Sequence, residues 1–296
     1  MTETTDISVQ KTKKKKKKSA LLEVFLRLRK SPLAMFGLIV LLTLIFVALF
    51  ANVLAPYSYS KQNLQHMFET PSKQFLLGTD EFGRDILSRL IFGARISLQV
   101  GFIAVGIALV VGGMLGAIAG YYGGWTDNGI MRVMDVLLSI PQTLLAIAIA
   151  AALGPGLFNL MIAVGLSSTP GYARIVRGSV LSIKGQEFIE AAKALGSKDL
   201  RIIIRHILPN CMAPVIVQAT LGVGSAILNA AGLSFIGLGI KPPVPEWGAM
   251  LAGGRGYIRD YPFVAVFPGL AIMISILALN FLGDGLRDAL DPKLKR

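Results

Sequence analysis

Residues 136–173 read VLLSIPQTLLAIAIAAALGPGLFNLMIAVGLSSTPGYA, 38 residues without a charged side chain. A bilayer core of about 30 Å needs roughly 20 apolar residues as a helix, so the stretch has room for two spans. Gly154-Pro155-Gly156 lies near its middle, where Pro and Gly stop one helix and turn the chain. Four further uncharged runs cover residues 32–60, 96–126, 207–240 and 261–283. The chain therefore has six spans if the long run is split and five if it is not.

The basic residues decide between the two. Six spans with the N-terminus inside place 22 Lys and Arg residues on the cytoplasmic side and 8 outside. Five spans give 14 inside and 16 outside. Loops that stay in the cytoplasm carry the excess of Lys and Arg, so the sequence predicts six transmembrane helices with both termini cytoplasmic. Composition agrees: 53% of residues are hydrophobic and 16% charged, where soluble domains carry about 25% charge. A soluble protein would have to bury five such runs in one core. The first run is too long for a cleaved signal and lacks a small-residue cleavage site, so it reads as a retained span. A single cysteine, Cys211, excludes an internal disulfide and a cysteine metal site.

The net charge of +13 is concentrated at the start, where Lys11 and residues 13–18 form a basic block. Like charges repel, so disorder is expected, with attraction to anionic membrane lipids. No aromatic interleaving accompanies the block, so nucleic acid is not expected as a partner. Leu21, Leu22, Phe25, Leu26 and Leu28 among Arg27, Arg29 and Lys30 suggest a short interfacial helix. The second span, about residues 98–122, is rich in glycine, which lets helices approach closely in lipid. The third is expected from near Ile130, with Arg132 and Asp135 at its cytoplasmic end, and the fourth over about 157–172. The outer loop contains GTDEFGRD at 78–85, a turn-rich ion-pair cluster in which Asp80, Arg84 and Asp85 pair with one another or with a partner. EF-hand spacing is absent, so no metal is expected there.

Residues 174–208, RIVRGSVLSIKGQEFIEAAKALGSKDLRIIIRHIL, are helical by period. Phe188, Ala192 and Leu195 share one face, and Leu200, Ile203, Ile204, Ile207 and Leu208 form a second stripe. Gly196 suits a helix C′ position and Ser197 the next N-cap. The segment is a predicted helix-turn-helix hairpin at the membrane surface.

Glu190, Ala191 and Ala192, then Lys193, Leu195 and Gly196, with Ile203, His206 and Leu208-Pro209 following, resemble the EAA loop of bacterial ABC-importer permeases. GTDEFGRDILSRLIFGARISL (78–98), GLSFIGLGIKPPVPEWGAML (232–251) and NFLGDGLRDALDPKL (280–294) are similar to the C-type permease of dipeptide and oligopeptide importers. The resemblance covers nearly the whole chain. It implies an all-α membrane protein of the type I ABC-importer permease fold. It also implies pairing with a homologous second permease, two cytoplasmic ATPase subunits and an external substrate-binding protein in the bacterial cytoplasmic membrane. The hairpin residues Glu190 to Gly196 would couple to the ATPases. Asp80, Arg84, Asp85 and Trp247 would face the binding protein. Thr169 stands before Pro170 where relatives often carry Trp, and the poly-Lys tail departs from the pattern.

The sequence lacks a GxxxxGK[ST] loop, so ATP and Mg²⁺ are expected in the partner subunits and no cofactor in this chain. A protease reading fails too: HExxH and GxSxG are absent. Ion-coupled transport is the rival class, but it places carboxylates deep in the membrane, and here Asp135 and Asp284 sit at predicted span ends. A scaffold without transport is a third. Short peptides are the expected substrate, with nickel chelates or glutathione as alternatives. The expected units are the tail and interfacial helix (1–30), the first span and outer loop (31–95), a five-span core (96–290) and the C-terminus (291–296).

Overall fold

The structure, a computed structural model, describes residues 20–290. The basic block and residues 291–296 lie outside it. The described residues form thirteen α-helices and no strand: α1 Ala20–Leu28, α2 Pro32–Leu49, α3 Ala51–Leu54, α4 Ile86–Tyr122, α5 Gly124–Leu138, α6 Gln142–Leu153, α7 Leu157–Lys184, α8 Glu187–Ala194, α9 Asp199–Ile202, α10 Leu208–Asn210, α11 Met212–Phe235, α12 Trp247–Gly254 and α13 Phe263–Leu290. A π-helical turn over Ile203–Ile207 joins α9 to α10.

Four helices, α2, α4, α11 and α13, are long and apolar enough to cross a membrane, and α5 with α6 makes a fifth if the bent pair is one span. The expected fourth span, about residues 157–172, falls in α7, 28 residues long, which is not among these helices: Asn159, Ser167, Ser168, Thr169 and Arg174 make it more polar than the others. The third span is not the straight helix expected from Ile130. It breaks after Leu138 and turns by 90°. Pro141 lacks an N–H, and a residue before proline is pushed out of the helical region. The 12 residues of α6 rise only about 18 Å. Gly154 turns the chain into α7 with φ +79°, as the Gly-Pro-Gly signal predicted.

The second span starts earlier than expected, at Ile86, because Asp85 caps it: its carboxylate accepts from the Ser88 N–H at 2.7 Å. Arg95, inside α4, donates to the carbonyls of Ala48 at 2.8 Å and Leu49 at 3.2 Å, satisfying acceptors at the C-terminus of α2. α1 lies along α13, with Leu28 buried.

The most extensive helix contact is between α4 and α7. A Cβ at Gly112 would meet the Thr169 and Ala173 backbone, one at Gly116 the Ala173 carbonyl, and one at Gly120 the Val180 side chain. From the other side, Gly165 lies against the Ala104 carbonyl. The glycine-rich face therefore meets protein, as expected, and lets α7 rest on the α4 backbone. Gly106 is different, with nothing within 4 Å of its would-be Cβ. Gly116→Ala is expected to lose about 1–3 kcal/mol through overpacking. Gly106→Ala should be neutral or gain up to about 1 kcal/mol. Thermal unfolding of the purified variants in detergent checks the contrast, and equal Tm values would contradict the packing described.

Candidate functional site

At one end of the bundle, beyond α7, the chain folds back as a hairpin. Glycine ends its first helix: Gly196 has φ +74°, its N–H bonds the Lys193 carbonyl at 2.9 Å, and the Ser197 N–H bonds the Ala192 carbonyl at 3.1 Å. This is a Schellman stop. The N-cap of α9 is Lys198, without a side-chain cap bond, so the expected Ser197 cap is corrected by one residue. Ser197 still belongs to the turn that closes α8, and the extended Lys198 separates it from the first residue of α9, Asp199.

The hairpin has its own small core. Ile189, Ala192, Ile202, Ile203 and Ile207 are buried against Val176, Val180 and Ile183 of α7 and Ala117 and Tyr121 of α4. The Tyr121 hydroxyl donates to Asp199 at 2.6 Å, tying the second arm to the end of α4. Cys211 belongs to this core, and burial pushes its thiol up to about 11, which keeps it protonated at neutral pH.

This burial corrects the expected stripes. Phe188, Leu195, Leu200 and Ile204 are exposed, Leu195 at 86%. The apolar residues of the hairpin outnumber one face, and the π turn shifts the phase between α9 and α10. Glu190, Ala191, Lys193, Leu195 and Gly196 are on the solvent side, while Ala192 points inward. A groove beside the turn, about 650 Å³, is lined by Leu195, Leu200 and Ile204 with Lys198, Arg201 and Arg205. Sequence reasoning missed this outward apolar patch. It also missed two ion pairs that hold α5 to α7: Arg177 to Asp127 at 2.5 Å and Arg174 to Asp135 at 2.6 Å.

At the other end, Asp80 organises the 55–85 loop. Its carboxylate accepts from the backbone N–H of Phe82 at 2.9 Å and of Arg84 at 3.0 Å, and from Arg84 Nε at 2.6 Å. Arg89 Nε lies 3.4 Å away, and its Nη1 reaches the carbonyls of Tyr59 and Pro243. Asp80, Arg84, Asp85 and Arg89 are all buried. Asp85 is a helix cap and pairs with no cation among the described residues. Trp247 is only 1% exposed; its ring fills the space over Gly93 and donates to the Leu90 carbonyl at 3.1 Å. Asp80, Arg84, Asp85 and Trp247, expected to face a binding protein, are thus buried within the chain. The ion pairs satisfy buried polar groups, and the bond from Arg89 to the Pro243 carbonyl joins α4 to the α11–α12 connection.

Residues 112–296 match the family described as binding-protein-dependent transport system inner membrane component. The chain belongs to this family. The N-terminal transmembrane domain of oligopeptide transport permease C also matches, over residues 19–71. The permease is 52% identical to the dipeptide transport system permease protein DppC of Alkalihalophilus pseudofirmus, over 92% of its own length and 90% of the relative's. It is 50% identical to the di/tripeptide permease DppC of Pseudomonas aeruginosa, over 88% of each chain. It is 48% identical to the glutathione permease GsiD of Escherichia coli, over 92% of this chain and 90% of the relative. A chain of the MetNI methionine ABC transporter, in inward-facing conformations, superposes with a TM-score of 0.55 at 19% identity, covering 69% of this permease and 96% of that chain. The permease is a multi-pass membrane protein with the type I ABC-importer fold.

Removing Asp80 would leave two guanidinium groups buried with their main partner gone. Asp80→Ala is expected to cost about 3–5 kcal/mol. Burial and the charge of Asp80 hold the Glu81 carboxyl above its ordinary range. The fold thus disfavours ionised Glu81, and Glu81→Gln should cost nothing. Thermal unfolding of the two variants at neutral pH checks this, and equal losses would contradict it.

Proposed function

We propose that the permease forms one half of the pathway of an importer for short peptides and that its hairpin receives the motion of a separate ATPase. The observation that carries this reading is the outward face of the hairpin. It is a helix-turn-helix hairpin, packed on α4 and α7, that presents Phe188, Leu195, Leu200 and Ile204 to solvent, with Lys198, Arg201 and Arg205 along the groove. Apolar patches rimmed by charge on a protein surface mark contact with another protein. The occupant is a cytoplasmic ATPase subunit, one of two that hold ATP and Mg²⁺. A homologous second permease completes the pathway and an external binding protein delivers the substrate.

In this reading the hairpin end and both termini face the cytoplasm, and the membrane is the bacterial cytoplasmic one. The basic excess on that side supports the orientation. The interfacial helix ends the 1–30 unit, 31–95 are the first span and outer loop, and 96–290 are the core. Relatives named for dipeptides and for di- and tripeptides, at 52% and 50% identity, support a peptide substrate. Coupling requires that the ATPase pair bind the two conformations of the hairpin unequally.

Gly196→Pro is incompatible with the left-handed turn at that position, and Glu190→Arg reverses the charge of the exposed face. Each is expected to lower peptide uptake at least ten-fold while membrane insertion stays intact. Uptake by reconstituted transporter, with insertion scored separately, tests this, and full uptake by both variants would contradict the docking role.

A further inference from the structure

Beside the break between α5 and α6 lies a cavity of about 250 Å³ walled by α4, α5, α6, α7 and α11. Its polar wall is built from Gln142, Ser168, Tyr172, Gln218 and Ser225, and no charged residue lines it. Gln142 Nε2 donates to the Ser168 hydroxyl at 2.8 Å, tying the broken span to α7. The Tyr172 hydroxyl donates to the Gln218 carbonyl at 3.2 Å and occupies the space where Gly222 has no side chain. Just beyond, Asp135 and Arg174 neutralise each other at 2.6 Å.

Gln142 and Ser225 are exposed at the rim. Polar groups on a span are costly against lipid, so this rim faces water or protein. Gln218 also lines a second groove of about 480 Å³, which continues toward Pro214 and Arg287 at the hairpin end. From Ser225 to Pro214, α11 rises about 16 Å, roughly half of a bilayer core. The two spaces thus follow one helix face from mid-span toward the hairpin.

We infer that this cavity is the chain's half of a transit site that binds the main chain of a short peptide through neutral amide and hydroxyl groups and takes no account of side-chain charge. The inference rests on the peptide reading above. Glutamine side chains offer both a donor and an acceptor, the same pair that a peptide bond presents. A complete small-molecule site has a volume of about 300–1,000 Å³, so a cavity of about 250 Å³ fits one that a second subunit completes. A neutral wall binds weakly enough to release its cargo, a requirement for conduction. The competing role for the same residues is hydrogen bonding to the neighbouring permease, which would seal the space.

The test uses the complete transporter in proteoliposomes. Cys211 is the chain's single cysteine, so in Cys211→Ala any label read on the separated permease band reports Ser168→Cys or Ser225→Cys alone. Both are expected to react with a membrane-impermeant thiol reagent, and dialanine should slow the reaction. In a separate measurement, Gln218→Glu is expected to shift the uptake ratio of dilysine to diaspartate about ten-fold toward dilysine, and Gln218→Lys about ten-fold the other way, by direct charge interaction. Ratios are read within one variant, so reduced expression does not mimic the effect. Unreactive cysteines, or ratios equal to that of the wild type, would overturn the transit site while leaving the peptide reading intact. A wild-type transporter that imports none of these dipeptides would overturn the peptide reading and the ligand assigned to the cavity with it.

Discussion

The close contact between α4 and α7 is the constraint on which the remaining features depend. Lipid tails offer no hydrophobic drive to bring helices together, so packing at small residues must do it. Gly112, Gly116, Gly120 and Gly165 remove the side chains that would hold the two backbones apart. With that contact made, α7 becomes a continuous support from the polar cavity at Ser168 to the hairpin at Lys184. α4 then carries the same alignment from the Asp80 brace at one end to Tyr121, which holds Asp199, at the other.

The two ends of the bundle use different physics. The loop end is fixed by buried charge: Asp80 with Arg84 and Arg89, each paired or bonded to backbone carbonyls. Such a network adds little net stability over an apolar core, but breaking it leaves an uncompensated charge. The hairpin end is fixed by a small aliphatic core and one tyrosine bond, and it leaves its other face apolar and open. In the proposed function the braced end stays rigid and the open end meets a moving partner.

Much of this was legible in the sequence. The division of the long uncharged run at Gly154-Pro155-Gly156 was readable, and Gly154 does turn α6 into α7, because that stop is a local one. The glycine spacing of the second span and the Gly196 stop were readable for a similar reason: each is a local steric requirement. The break at Pro141 was harder, because proline inside an apolar run is tolerated in a membrane and hydropathy does not register a bend. The hairpin stripes were misread because Phe188 and Leu195 lie beside Ile189 and Ala192, and period alone does not say which stripe turns inward. The burial of Trp247 and Asp85 was not readable, because an aromatic or acidic residue in a loop looks exposed until the packing of Gly93 and the N-terminus of α4 is known.

Whether the outward face of the hairpin meets the ATPase can be read from a covalent adduct. A photoreactive residue at Leu195, 86% exposed on that face, is compared with one at Leu76, 60% exposed at the opposite end, in the assembled transporter. Illumination is predicted to join the ATPase subunit to position 195 and to leave position 76 free of it. An ATPase adduct at 76, or none at 195 in a transporter that still imports peptide, would contradict this assignment of the hairpin.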